Sequence, residues 1–197
     1  AHTVVSDSVL REEQILETGK GNYKFTFQQL QQTPVWESRL ERNDSFACYA
    51  MGVRLARMPL DANGRPQGNH ILQTFPNPAI FPEADSLSAV YNGFLEWKAD
   101  EATIIDQLAM TVFREVPETQ GTTFPPAAGD DTEFDYTQGL FIPTPYLLFH
   151  GNSQNQIEIE FPTYATQTLT SADAAFQNRL VVDLYGFNVA GVNRLAA

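Results

Sequence analysis

Residues 147–162 read LLFHGNSQNQIEIEFP. An apolar run comes first, small polar residues typical of a turn follow, and the last part alternates strictly between apolar and acidic side chains. Because successive side chains of a strand point to opposite faces, Glu158 and Glu160 project from one face and the alternating apolar side chains from the other. The pattern predicts a hairpin made of two strands, 146–149 and 157–161.

Further strand patterns recur along the chain, at 23–27, 45–58, 71–75, 87–97 and 179–187. Residues 99–116 are ambiguous, and we expect a helical turn followed by a strand there. Long connections that contain proline separate the segments, and they suit a Greek-key or jelly-roll arrangement better than an up-and-down barrel. We therefore expect an all-β fold, a single β-sandwich of the jelly-roll type with one or two short helical segments.

The first part of the chain has a different pattern. Residues 7–17, DSVLREEQILE, begin with Asp7 or Ser8 as a helix cap, and their apolar residues have a loosely helical spacing. We therefore expect an N-terminal arm or short helix over residues 1–22, followed by a single β-sandwich domain over 23–197. A chain of 197 residues suits one domain.

Composition excludes several classes of protein. The net charge is −12, and it lies wholly after residue 66, because residues 1–66 hold eight basic and eight acidic residues. Nucleic-acid binders usually carry a basic stripe, so we expect no direct nucleic-acid binding. Cys48 has no cysteine to pair with and lies in an apolar run, where we expect a small buried hydrophobe. No apolar run reaches the length of a membrane span, and the chain starts without a signal-peptide pattern.

Few residues suggest chemistry. Glu158 and Glu160 lie about 7 Å apart on one strand, and we interpret them as the solvated face of a sheet. The acidic cluster Asp130, Asp131, Glu133 and Asp135 has the ligand type that Ca²⁺ prefers but not the spacing of an EF-hand, so calcium stays an open alternative. The histidines are scattered, and no nucleophile elbow or phosphate loop occurs. We expect no enzyme activity, no catalytic or metal-binding residue and no cofactor.

Residues 74–82, TFPNPAIFP, are rich in proline and apolar side chains. Proline fixes φ and removes a backbone donor, which makes the segment stiff and extended. It either caps the end of the sandwich or docks on another subunit as a preorganised arm. The candidate subunit contact consists of Phe75, Pro76, Pro78, Ile80, Phe81 and Pro82.

Three stretches resemble small jelly-roll capsid proteins of tailless or lipid-containing bacteriophages. They are 72–78, LQTFPNP; 141–162, with its glycine turn and IEIEFP; and 180–187, LVVDLYGF. The resemblance implies a jelly-roll fold and a role in shell assembly without catalytic residues. Such shells often carry a basic N-terminal arm, whereas residues 1–19 here hold one arginine and four acidic residues.

We therefore expect a structural protein that self-assembles into a viral capsid or similar shell, in a virion that is assembled in the host cytoplasm. Its expected partners are copies of itself and other virion proteins. The alternative is an extracellular β-sandwich module that binds a carbohydrate or a receptor through exposed aromatic side chains. The candidate aromatics are Trp36, Tyr91, Trp97 and Tyr164.

Overall fold

A computed structural model describes residues 4–28, 34, 37–67, 70–100, 102–116, 139–163 and 167–190. Ten strands lie in this part of the chain: β1 Val4–Ile15, β2 Asn22–Thr26, β3 Ser45–Pro59, β4 Ile71–Gln73, β5 Phe94–Ala99, β6 Ala102–Ala109, β7 Leu140–Phe141, β8 Leu147–His150, β9 Asn155–Glu160 and β10 Phe176–Ala190. The helical segments are short: α1 Ala84–Leu87 and two 3-10 helices, Ser88–Asn92 and Met110–Phe113. The expected all-β sandwich with short helical segments is confirmed.

The first sheet has six strands and is built on β3. One edge of β3 pairs with β10 along almost its whole length, and β10 in turn pairs with β1. The other edge of β3 is shared by three short strands in succession, β4, β7 and β8. The second sheet has four strands in the order β2-β9-β5-β6, and all pairs in both sheets are antiparallel.

The strand pairs are nested around one central hairpin. β5 pairs with its neighbour in sequence, β6, and around this hairpin β3 pairs with β8, β2 with β9 and β1 with β10. The nested pairs alternate between the two sheets, so the chain is one long hairpin rolled into two layers. That arrangement is the expected jelly roll.

The predicted hairpin of 146–149 and 157–161 is wrong as a pairing, although both strands exist. β8 pairs with β3 in the first sheet, whereas β9 lies between β2 and β5 in the second sheet. The turn between them therefore carries the chain across the sandwich. It is held by Gly151, whose N–H donates to the Asp44 carbonyl oxygen at 2.9 Å. A Cβ at this glycine would lie 1.9 Å from the Glu41 carbonyl oxygen, so the close approach needs glycine.

The predicted N-terminal arm or short helix over residues 1–22 is also wrong where the structure describes it. Residues 4–15 form β1, which pairs with β10 from Val4 opposite Ala190 to Ile15 opposite Arg179. The helical spacing of apolar residues there was coincidental, because Leu10 is buried while Val9 and Ile15 are exposed. The strand is therefore an integral part of the sandwich.

Two other segments differ from expectation. Residues 87–92 are helical, and the predicted strand over 87–97 is reduced to β5. Residues 102–113 reverse the expected order, since β6 comes first and the 3-10 helix follows it. The backbone of β6 is irregular, with a positive φ of 51° at Gln107, which shifts the apolar side chains out of strict alternation. The spacing of apolar residues across β6 and the 3-10 helix together therefore resembles that of a single helix in the sequence.

The core lies between the sheets and is dominated by aromatic rings. Trp97 of the second sheet stacks on Phe149 of the first, with ring centroids 4.0 Å apart and planes inclined by 15°. Phe27 and Phe46 approach Phe149 edge-on at 6.3 and 6.2 Å. Stacked and edge-on aromatic pairs stabilise a fold by more than the burial of their surface area alone. This cluster therefore holds the two sheets together close to the turn between β8 and β9.

Phe149→Ala should lower the free energy of unfolding by about 3–5 kcal/mol, because it removes the ring that Trp97 stacks on and leaves a cavity. The adjacent Leu148 lies on the opposite face of β8 with 61% of its surface exposed. Leu148→Ala is therefore the matched control, and it should change stability by less than about 0.5 kcal/mol. Urea unfolding followed by tryptophan fluorescence measures both. Equal effects of the two changes would contradict the assignment of faces.

Candidate functional site

The proline-rich segment 74–82 packs largely against its own chain. Phe75, Pro76 and Phe81 are buried, and Ile80 is partly buried against the core cluster. Asn77 shapes the turn between them, since its carbonyl oxygen accepts from the N–H groups of residues 80 and 81 at 2.9 and 2.8 Å. The segment therefore caps the sandwich, which is one of the two interpretations that the sequence allows.

The subunit contact predicted for this segment stays a prediction. Its two exposed members are Pro78 and Pro82, while the phenylalanines face inward. In this conformation a neighbouring copy would therefore meet proline rings and part of Ile80. The segment offers less apolar surface to a partner than the sequence suggested.

Glu158 and Glu160 lie on the outer face of the second sheet, as the alternation predicts, while Ile157 and Ile159 are buried. Glu158 lies opposite Glu96 on β5, and each carboxylate has a lysine nearby. Lys24 Nζ is 3.8 Å from Glu158, and Lys98 Nζ is 2.6 Å from Glu96. The hydrogen bond from Lys98 to Glu96 raises the pKa of this exposed lysine.

These carboxylates border an open groove of about 660 Å³ on the same face. Asp106 and Phe94 also line it, and Phe94 is 51% exposed. The described residues contain no group of three or more His, Cys, Asp and Glu side chains arranged to hold a metal ion. The acidic cluster over 130–135, the calcium candidate, lies outside the described residues. The groove is thus a mixed acidic and aromatic surface that also contains Lys98.

The outer face of the first sheet is divided into two parts, and the first part is charged. Arg54 Nη1 lies 2.5 Å from Asp183 Oδ2, and both side chains are buried. Burial raises the pKa of Asp183, against the neighbouring arginines Arg11 and Arg54 that lower it. Gly52 sits directly opposite Asp183, and a Cβ there would lie 2.7 Å from Arg54 Nη1. The missing side chain leaves the space that the guanidinium fills.

This charged network continues across β1. Arg11 binds Glu13 Oε1 through Nη2 at 2.7 Å, and Arg179 Nη1 lies 3.3 Å from Glu13 Oε2. His70 approaches Arg11 Nη2 at 3.0 Å, and burial lowers the pKa of its imidazole. A buried charge that loses its partner is strongly destabilising, so the charges of this network depend on one another. The network therefore has a structural role.

A second buried carboxylate ties the two sheets together at their edge. Glu12 of β1 accepts the backbone N–H of Thr26 of β2, and it also accepts Gln14 Nε2 at 3.0 Å. Arg39 Nη2 lies 3.2 Å from Glu12 and 2.8 Å from Glu37. Burial raises the pKa of Glu12 to about 7, because desolvation outweighs the attraction of Arg39.

The second part of the outer face is largely apolar and, among the described residues, exposed. Tyr49 lies between Tyr146 and Phe187, with ring centroids 6.5 and 5.5 Å away. Leu148 and Phe187 flank Ala47 on its two sides, and Val5 and Val9 extend the surface onto β1. We call the following set the outer patch: Val5, Val9, Tyr49, Tyr146, Leu148 and Phe187. Val5, Tyr146 and Leu148 are each about 60% exposed. Exposed apolar surface that runs across four strands is characteristic of interaction sites.

The aromatic residues proposed for a ligand platform have other positions. Tyr91 and Trp97 are buried in the core, so neither is an exposed platform. Trp36 and Tyr164 lie outside the described residues. The exposed aromatics of the described part are instead Phe94 in the groove and Tyr146 in the outer patch, together with the edge of Phe187. Sequence reasoning missed the outer patch, because strand pairing alone brings its members together.

No protein family, characterised protein or solved structure showed significant similarity to this chain. Among the described residues, the helices are all too short to cross a membrane as apolar spans.

The raised pKa of Glu12 predicts an unusual pH dependence. Between the pKa of the unfolded carboxyl, near 4.5, and about 7, the folded protein binds more protons than the unfolded chain. Stability should therefore fall as the pH rises through this window, by up to about 3 kcal/mol from this group. The difference in the free energy of unfolding between wild type and Glu12→Gln, measured by urea unfolding, should therefore shift against wild type by that amount between pH 5 and pH 8.

Glu160→Gln is the matched control for this experiment, because Glu160 is an exposed carboxylate on a strand. Its stability profile should run parallel to that of wild type. A Glu12→Gln profile that also runs parallel to wild type would show that Glu12 titrates normally in the folded protein.

Proposed function

We propose that this chain is a structural protein that self-assembles into a shell, in the manner of a bacteriophage capsid protein, and that it works without catalysis. The observation that carries the proposal is the outer patch. A protein that acts as a monomer rarely leaves aromatic and aliphatic side chains of four adjacent strands exposed together. The patch is supported by a rigid sheet, so little conformational entropy is lost when a partner covers it.

Charge and fold are consistent with this proposal. The chain carries a net charge of −12, which opposes close packing of copies. The first half of β1 adds one acidic side chain to the surface of the patch, Asp7, which lies opposite Phe187 between Val5 and Val9. Copies would therefore associate best through this surface. Resemblance of 72–78, 141–162 and 180–187 to small jelly-roll capsid proteins supports the same role. We also propose that the shell belongs to a virion and that the partners of this chain are copies of itself and other virion proteins.

The second candidate is a module that binds a carbohydrate or receptor. The groove on the second sheet favours it, because an exposed ring beside carboxylates and an amide is a surface on which a sugar can stack and donate hydrogen bonds. Phe94 would be the stacking ring, and Glu96 and Glu158 the acceptors. Both carboxylates are already engaged by lysines, which leaves fewer free acceptors for a ligand.

The double change Tyr146→Ser with Leu148→Ser should reduce assembly of the purified protein while leaving its stability within about 1 kcal/mol of wild type. The reason is that both side chains are exposed, so their loss affects a partner and not the core. Sedimentation velocity over a concentration series and negative-stain electron microscopy measure assembly. Wild type should form regular shells or arrays.

The matched control is Ile104→Ser with Val112→Ser, which removes two exposed apolar side chains away from the outer patch. This control should assemble like wild type. A wild-type protein that remains monomeric at all soluble concentrations would contradict the proposal. A monomer that binds immobilised glycans, and loses binding in Phe94→Ala, would favour the second candidate.

A further inference from the structure

Among the residues that the structure describes, the first half of β1 is an open edge of the six-stranded sheet. β1 is the last strand on its side of the sheet, and residues 4–7 are all exposed. The usual protections of an edge strand are charged side chains, proline or a bulge, and residues 4–9, VVSDSV, contain no proline, pair with β10 without a bulge and carry one charged side chain, Asp7. Within the described residues, the segment therefore offers a row of backbone groups that a single charged side chain protects.

The hydrogen bonds of Arg11 show which groups face outward. Its N–H donates to the Ser38 carbonyl oxygen at 2.8 Å, and its carbonyl oxygen accepts the Ser38 N–H at 3.0 Å, on the side away from β10. Backbone direction alternates along a strand, so Val5, Asp7 and Val9 also direct their N–H and C=O groups away from β10. Within the described residues, these groups of Val5, Asp7 and Val9 have no protein partner on that side.

The second half of the same edge is closed. The backbone of Ser38 forms hydrogen bonds with both the N–H and the carbonyl oxygen of Arg11, and the side chain of Glu37 accepts the N–H of Glu13 at 3.3 Å. A strand that pairs with β1 can therefore use only the residues before position 10. This boundary limits which registers are possible.

We propose that a second copy of this chain docks here, pairing its own β1 antiparallel to the first about a two-fold axis at Ser6. This inference rests on the proposed function and names the contact through which copies first associate. Ser6 would face Ser6 of the other copy, and each Val5 would face an Asp7. The two six-stranded sheets then form one continuous sheet, and the two outer patches lie side by side on one of its faces.

Two other registers, with the axis further along β1, are less favourable. A two-fold axis at Asp7 places two carboxylates directly opposite each other, which is destabilising in a cross-strand pair. An axis at Ser8 brings Val5 against Arg11, whose backbone is already bound by Ser38. The Ser6 register keeps the pairs of Val4 with Ser8 and of Val5 with Asp7 within the open segment.

Two observations favour a second copy over an unrelated partner. A strand that pairs with the open edge must present backbone N–H and C=O groups that alternate at the same spacing. The β1 strand of a second copy presents these groups, and the resulting contact is self-complementary. Asp7 is the one charged side chain of 4–9, so this edge approaches its copy with less repulsion than the acidic remainder of the chain. Val5 and Val9 also belong to the outer patch, so edge pairing and patch are continuous.

Cysteine cross-linking tests the register directly. In the proposed pairing, two copies of Ser6→Cys form a non-hydrogen-bonded pair with Cα atoms about 4.5 Å apart, within the range that a disulfide spans. In Ser8→Cys the Cα atoms are about 14 Å apart along the strands, beyond the limit of about 7 Å. The native Cys48 is buried, and burial raises the pKa of its thiol to about 12, so it does not compete. Oxidised glutathione should give disulfide-linked dimers of Ser6→Cys and none of Ser8→Cys, as seen on non-reducing gels.

Charge substitution tests the same contact without a covalent bond. Val5→Lys places a cation opposite Asp7 of the other copy, and Val5→Asp places an anion there. The association constant of the lysine variant should exceed that of the aspartate variant by about tenfold, since two such pairs form per dimer. Val112→Lys and Val112→Asp are the matched controls, because Val112 is 44% exposed on the 3-10 helix and the net charge changes equally. Their association constants should differ less.

The outcomes separate this inference from the proposed function. Suppose that wild type assembles. If Ser6→Cys then gives no disulfide-linked dimer, or Ser8→Cys gives one, the β1 contact is wrong and shell assembly stands. The same conclusion follows if the association constants of the two Val5 variants differ by no more than those of the two Val112 variants. If wild type stays monomeric at all soluble concentrations, both proposals fall. Selective cross-linking of Ser6→Cys together with the larger charge effect at Val5 would establish the contact.

Discussion

The pairing of β3 with β10 is the interaction on which the rest of the fold depends. Both strands are long, and they pair from Ser45 opposite Val189 to Pro59 opposite Phe176, with one register shift beside Tyr185. Every other strand of the first sheet attaches to one of these two, β1 to β10 and the short strands to β3. The side chains on their inner faces form one wall of the core. A sheet whose two central strands are this long can carry short and interrupted strands at its edge without losing its register.

The same two strands explain why the outer face of the first sheet has two different parts. Near its middle, Gly52 on β3 makes room for the guanidinium of Arg54, which meets Asp183 of β10, and this region is buried. Past the register shift, Tyr49 and Phe187 replace the charged residues and remain in contact with solvent. One sheet thus has a buried, charge-paired half and an apolar half that is exposed to solvent. The buried charged part and the exposed apolar part thus follow one another along a single pair of strands.

The sequence predicted what depends on local pattern. Alternation at 157–161 and the apolar run over 45–58 gave β9 and β3, and the long connections indicated a jelly roll, as found. What depends on distant partners was not predictable. Residues 7–17 have a helical spacing, yet residues 7–15 are part of a strand that pairs with β10. The glycine-containing turn after His150 resembles a hairpin, although it joins different sheets. The outer patch combines Val5, Tyr49, Leu148 and Phe187, which only strand register brings together.

The nested strand order has a consequence for the way the chain folds. The central hairpin of β5 and β6 can form from residues that are adjacent in the sequence. In contrast, β1 and β3 can pair with β10 only after residues 179–190, near the end of the chain, have been made. Loop-closure entropy therefore opposes the first sheet until late, and folding of such a non-local topology is slow, on the order of milliseconds to seconds. During that interval β1 exposes both of its edges. Newly made chains at high concentration would thus meet one another while the strand that completes the sheet is still unpaired, and unpaired strand edges of this kind favour aggregation.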